Sequence, residues 1–186
     1  MTELPKRKYN RLEGYDYSLN GAYFVTVCAK DRQDLFAKYD VGAATCRPQN
    51  NNDDECYGKR VDNPNIELSD IGHLIDIPIN NIPKIYQGVF IDKYIIMPDH
   101  VHMIIVFDRD TNEKDGRQVA APTTTLQTII QHMKRDVSKR CRQTVWQKSF
   151  FDHIIRHEED YYMIIGYIEN NPKKLEMDIE ERENGE

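Results

Sequence analysis

VFIDKYIIMPDHVHMIIVFD, residues Val89 to Asp108, decides the fold. Two apolar runs, each with the length and β-branched content of a buried strand, flank Met97-Pro98-Asp99, where proline and aspartate supply turn chemistry. The stretch predicts a β-hairpin. Side chains alternate along a strand, so His100 and His102 share one sheet face while Val101 and Met103 take the other. Two neutral imidazoles at i, i+2 can share one metal ion without distorting the backbone. The same spacing also fits two rings packed in a core with their nitrogens on carbonyls. The pair opens a strand beside a turn, where ligands gather.

Working outward on the N-terminal side, Ala22 to Ala29 (AYFVTVCA) reads as a first buried strand, entered through Asn20-Gly21. Lys38 to Asn65 is rich in Asn, Asp, Gly and Pro, too polar to build a core, and is expected to be an exposed or disordered loop. Leu68 to Tyr86 places Ile71, Leu74, Ile75, Ile79 and Ile82 at helical spacing, with Ser69 as N-cap. Pro78 and Pro83 predict a kink or two shorter pieces.

On the C-terminal side, Thr111 to Thr123 reads as another polar loop. Thr124 or Thr125 caps a helix from Leu126 to about Arg142, which turns Leu126, Ile129, Ile130 and Met133 inward and leaves Lys134, Arg135, Lys139, Arg140 and Arg142 mostly to solvent or an anion. Gln143 to Ile155 is weakly alternating and reads as extended. The final helix is predicted over Glu158 to Asn171, with Glu158, Glu159 and Asp160 at its positive end and Pro172 as its stop. Tyr161, Ile164, Ile165 and Ile168 form its apolar stripe. At about 100° per residue, Tyr167 and Asn171 lie on the flank of that stripe, one turn apart. Amphipathic packing of the tyrosine and helix closure by the asparagine are the ordinary explanations of both residues.

The order strand, helix, strand, strand, helix, strand, with one more helix appended, predicts an α+β fold. It matches a ferredoxin-like antiparallel sheet with helices mainly on one face and an extra C-terminal helix carrying the tyrosine. At 186 residues the chain fits one domain, residues 1–175, followed by an acidic tail, residues 176–186. The tail carries −5 of the formal −6 and is expected to be mobile. The remaining −1 hides local basic runs, KRKYNR at residues 6–11 and KRDVSKRCRQ at residues 134–143, for which a solvated face is the ordinary explanation. Four cysteines without C-x-x-C pairing are expected to be free thiols. No segment approaches the roughly 18 apolar residues of a membrane span, and no signal-peptide core opens the chain, so a soluble, intracellular protein is expected.

Taken together, MPDHVHMII, YIENNP, GYDYSLNGAYFVTVCAKDR and WQKSFFDHIIRHEEDY resemble, in order and over most of the chain, the single-tyrosine HUH transposases, in particular the REP-associated tyrosine transposases. The loop at 38–65 and the acidic tail have no counterpart in that pattern. The resemblance implies cleavage of single-stranded or hairpin DNA by tyrosine and a divalent metal, Mg²⁺ or Mn²⁺, in the prokaryotic cytoplasm and in association with the nucleoid. Tyr167 becomes the nucleophile, and His100, His102 and Asn171 become the metal ligands. The spacing to Asn171 favours Tyr167 over Tyr161 and Tyr162. Lys134, Arg135, Lys139 and Arg140 are the candidate phosphate contacts. Relatives act as monomers or as dimers that exchange the tyrosine helix, and a homodimer stays open. So do two other readings: a non-catalytic single-strand DNA- or RNA-binding domain, and a metal nuclease in which water attacks while Tyr167 packs.

Overall fold

The computed structural model describes residues 11–39, 59–63, 65–109 and 124–184. Its strands are β1 (Gly21–Cys28), β2 (Ala37–Tyr39), β3 (Lys59–Arg60), β4 (Ile66–Leu68), β5 (Val89–Ile96), β6 (His100–Phe107) and β7 (Phe151–Ile155). The helices are α1 (Asp70–Ile85), α2 (Leu126–Cys141) and α3 (Glu158–Asn184). The main sheet runs β3-β5-β6-β1-β7, and β2 and β4 form a separate two-stranded ribbon. Within it β5, β6, β1 and β7 are mutually antiparallel, while the short β3 joins the β5 edge in parallel. That order is the ferredoxin-like arrangement of β-α-β-β-α-β, so the predicted architecture holds.

The hairpin forms as expected. β5 and β6 pair from Val89↔Phe107 to Ile96↔Val101, with a bulge between Ile91 and Lys93, and Met97 N–H closes the turn on the His100 carbonyl at 2.8 Å. Alternation sends Val101, Met103, Ile105 and Phe107 into the larger core. There they meet Tyr23, Val25 and Val27 of β1, Ile75, Ile79 and Ile82 of α1, and the apolar stripe of α2. α3 lies on the opposite face. Its Ile168 is fully buried among Phe24, Ile95, Met97 and Ile104, with Tyr161, Ile164, Ile165 and Leu175 alongside. The sheet is therefore covered on both faces, and His102 belongs to the α3 side.

Both helix starts follow their caps: Ser69 Oγ accepts from Gly72 N–H at 3.1 Å and Thr125 Oγ1 from Thr128 N–H at 3.2 Å. The prolines behave differently from their local rule. α1 is one helix through Pro78 and Pro83. α3 passes through Pro172 and continues to Asn184, so the expected stop after Asn171 is replaced by one 27-residue helix. An interior proline costs about 3 kcal/mol, whereas each fully buried aliphatic side chain contributes about 1.5–3 kcal/mol. Ile75, Ile79 and Ile82 in α1, and Ile168 with Leu175 on either side of Pro172, keep the chain helical against that cost.

The polar loop expected over 38–65 is shorter on both sides, since Lys38, Tyr39, Lys59 and Arg60 belong to strands; residues 40–58 lie outside the described residues, as do 110–123. The extended segment expected over 143–155 narrows to β7, preceded by a single bridge between Trp146 and Ala29. Cys28 and Cys141 are free thiols, while Cys46 and Cys56 fall outside the described residues. Among the described residues no helix is long and apolar enough to cross a membrane.

Candidate functional site

The site grows from the register of three strands. β1 pairs β6 with Thr26↔His102 and Cys28↔His100, so Phe24, Thr26, Cys28, His100 and His102 all point to the α3 face. His102 is 3% exposed and its Nδ1 lies 2.8 Å from Thr26 Oγ1. His100 places its Nδ1 2.5 Å from the Asp99 carboxylate, whose other oxygen receives Arg32 Nη1 at 2.9 Å. With both Nδ1 atoms engaged, the two Nε2 atoms face each other at 2.9 Å. In the tautomer in which the rings donate Nδ1–H to Asp99 and to Thr26, both Nε2 lone pairs are aimed into one space.

Charge supports that arrangement. Burial, and then the neighbouring His100, push the His102 imidazole down to about 3, so it is neutral at any ordinary pH. Burial of Asp99 works to raise its carboxyl, but the hydrogen bonds and charges of His100 and Arg32 outweigh it, and the group stays ionised below its usual range. Arg32 is held from behind as well. Asp31 and Arg32 both sit at φ 55, the left-handed region, in a turn tied to the hairpin by Ala29 N–H on Asp99 O (2.7 Å) and Phe36 N–H on Pro98 O (2.8 Å). Two successive non-glycine residues in that region persist only where the surroundings over-determine them.

α3 brings Tyr167 onto His102. Its ring centre lies 5.1 Å from that of His102 and 6.0 Å from that of Phe24, edge to face in both cases, and 47% of the residue remains exposed. Asn171, one turn further along α3, is buried at 8% exposure. Tyr161 is occupied elsewhere: its hydroxyl donates to Asp92 on β5, and burial together with that bond keeps its phenol well above the ordinary value. Tyr162 is 60% exposed.

The donor set fits a divalent ion. Two ligands bound at a right angle to one ion at about 2.1 Å lie roughly 3.0 Å apart, close to the observed separation of the Nε2 atoms. Among the described residues no group of three His, Cys, Asp or Glu side chains has metal-holding geometry, and a side-chain amide oxygen is a further donor of the oxygen type such ions accept. The Asn171 amide oxygen is of that type.

Of the basic residues of α2 and its C-cap, Arg135, Lys139, Arg140 and Arg142 are exposed as expected, and Lys134 is not. α2 packs on the sheet face opposite the imidazoles. Lys134 turns its ammonium onto the backbone carbonyls of Gln147, Lys148 and Ser149, which removes it from the candidate phosphate contacts. Arg140 pairs with Asp136 at 2.8 Å, and Arg135 and Lys139 are exposed. The residues absent from the sequence reading are Thr26, Asp99 as an imidazole partner, and Arg32. Asp99 adjoins His100, but its sequence signal is also that of a turn.

No protein-family model matches the chain. An uncharacterized protein of Haemophilus influenzae is 29% identical over 186 residues, spanning 92% of this chain and 91% of its own. Among solved structures, a REP-associated tyrosine transposase bound to a REP hairpin superposes with a TM-score of 0.55 at 19% identity, over 94% of this chain and 74% of that one. The chain has the fold of that transposase. The likeness extends to an α+β architecture with a C-terminal helix, the element that here carries Tyr167 and Asn171.

Proposed function

We propose that the chain is a transposase-like enzyme of single-stranded or hairpin DNA, which cleaves one strand through a covalent 5′-phosphotyrosine on Tyr167 and can rejoin strands by the reverse step. The observation that carries this reading is the contact of Tyr167 with His102, one of the two imidazoles, inside one chain, ring centres 5.1 Å apart. A structural neighbour with the same fold was solved with a DNA hairpin, which supports the substrate class.

In this reading His100, His102 and Asn171 hold Mg²⁺ or Mn²⁺, with the Asp99 carboxylate and Thr26 hydroxyl fixing the two rings. Such an ion, when bound, neutralises charge on the scissile phosphate and aligns it for attack. A phenol of ordinary pKa near 10 is a weak nucleophile at neutral pH, so alignment and charge neutralisation are both required. Tyr167 Oη attacks phosphorus, its proton passes to solvent, and the P–O3′ bond breaks. The departing 3′ oxygen takes up a proton to become a hydroxyl. Ester energy is retained in the phosphotyrosine, so a 3′ hydroxyl can reverse the step without nucleotide hydrolysis. Arg135 and Lys139, exposed on α2, serve as outlying phosphate contacts.

The test is incubation of the protein with labelled hairpin oligonucleotides and Mn²⁺, followed by a denaturing gel. A covalent protein–DNA band is expected from the wild type. Tyr167→Phe is expected to lose the band and to cut slower by on the order of 10³-fold or more. Equal cutting by Tyr167→Phe would assign the attack to water and leave the tyrosine a packing role.

A further inference from the structure

β7 forms one edge of the sheet, and its alternation places Phe151, His153 and Ile155 on the same face as His102 and Tyr167. α3 covers that face unevenly. It packs over Ile155 and reaches His153 through Asp160 at 2.8 Å, yet Phe151 is 54% exposed. An exposed phenylalanine forgoes the roughly 1.5–3 kcal/mol that burial provides. Its position is informative because Thr26 pairs with His102 on one side and with Phe151 on the other. Strands lie about 4.8 Å apart, so Phe151 stands two strand spacings, about 10 Å, from the imidazole across an unbroken sheet.

The segment leading to Phe151 is held rigidly beside the same site. Gln147 N–H donates to the carbonyl of Cys28 at 3.0 Å, and Cys28 is the register partner of His100. The Lys134 ammonium binds the carbonyls of Gln147, Lys148 and Ser149 from within. Lys148 is left exposed at the tip, three residues before Phe151. A flat aromatic with a nearby cation on a pre-organised support is the combination by which proteins hold single strands: bases stack on the ring and the ammonium follows the backbone.

We propose that Phe151 and Lys148 form a nucleobase subsite, Phe151 stacking one unpaired base that flanks the phosphate at the imidazole pair and Lys148 contacting the backbone beside it. This rests on the reading of the chain as a single-strand DNA enzyme. Stacking on a ring recognises the π face common to all bases, so the subsite grips a strand without choosing its sequence. Lys134, reaching from α2 onto the carbonyls of Gln147, Lys148 and Ser149, braces the platform.

Fluorescence anisotropy of the full chain in EDTA, with fluorescein-labelled stem-loops carrying oligo(dT) flanks and with the same probes made abasic at one flank position at a time, tests the subsite apart from metal and chemistry. Phe151→Ala is expected to weaken binding roughly ten-fold, and Phe151→Trp to restore it. Phe151→Leu, equally apolar without a ring, stays weak. One abasic position weakens wild-type binding by a similar factor and has no further effect in Phe151→Ala. Lys148→Gln lowers the salt dependence by about one phosphate contact. Wild-type affinity in Phe151→Ala, or full restoration by leucine, overturns the subsite even where the covalent band forms. The coupled abasic position without any covalent band upholds the subsite and overturns the cleavage reading.

Discussion

The rings of Tyr167 and His102 meet edge to face within one chain, with centres 5.1 Å apart and planes at 64°. α3 is seated by Ile168, adjacent to the tyrosine and fully buried against the sheet, and by the Tyr161–Asp92 hydrogen bond two turns earlier. The tyrosine thus packs on His102 of its own chain. Cleavage is accordingly expected to act in cis. A mixture of Tyr167→Phe with a His102→Ala variant should give no covalent DNA adduct, because neither chain holds both parts. Recovery of the adduct on mixing would show that copies exchange the tyrosine helix.

Asp99 and Thr26 set the direction of the two Nε2 lone pairs, so their loss should appear in metal affinity before anything else. Asp99→Asn keeps the shape of the side chain but forfeits the charge that holds His100 and Arg32 together. The Mn²⁺ concentration giving half-maximal cleavage is expected to rise about 10–100-fold, as for other partners of metal-bound histidines. Isothermal titration with Mn²⁺ alone should show the same shift. Thr26→Val should act in the same direction, and an unchanged metal requirement in both variants would remove the proposed ligand roles.

Stability should fall in strong alkali. Tyr23, Tyr94 and Tyr161 all have phenols raised well above the ordinary 10.0, each first by burial. Tyr23 is raised further by its neighbour Tyr15, Tyr94 by the Asp76 carboxylate and Tyr161 by the Asp92 carboxylate. A raised folded-state pKa means the folded protein holds protons the unfolded chain would release. The contribution is complete below pH 10 and is lost progressively as pH climbs from there toward the folded values. Melting curves between pH 8 and pH 11 should therefore drop at the upper end. Tyr161→Phe should shallow that drop while lowering stability at pH 8 by about 1 kcal/mol for the lost charge-assisted bond.

Where side-chain spacing alone settles an element, the sequence and the structure agree. Ser69 and Thr125 start their helices, and the hairpin of Val89 to Asp108 sets the two histidines side by side. Agreement ends where a decision depends on what lies across the sheet. Pro172 is a local stop signal, but the stripe it interrupts continues to Leu175 on an opposing surface formed by Phe24, Ile95 and Ile104. The charge run of α2 reads as a solvated face from its composition, and only tertiary packing reveals that Lys134 faces carbonyls and that the helix lies away from the imidazoles. Thr26 becomes a histidine partner through strand register, which no periodicity encodes.

A pair of glycine substitutions should separate close packing from helix propensity. A Cβ on Gly72 would fall 2.1 Å from the Phe36 carbonyl oxygen and 3.2 Å from Leu68 Cβ. That carbonyl already accepts the Ser69 N–H at 3.0 Å, and Phe36 N–H is bound to Pro98 O beside Asp99, so the backbone has little room to retreat. Gly72→Ala is expected to cost about 1–3 kcal/mol, read as a fall in melting temperature of about 2–4 °C per kcal/mol. Gly166, in α3 immediately before Tyr167, has nothing within 4 Å of its added Cβ. Gly166→Ala should therefore stabilise the protein by about 0.4–1 kcal/mol through reduced freedom of the unfolded chain. Because the gain falls in the tyrosine helix, adduct formation in Gly166→Ala should remain at least at wild-type level. A loss of activity there, with raised stability, would mean that α3 must flex at this glycine for Tyr167 to reach the phosphate.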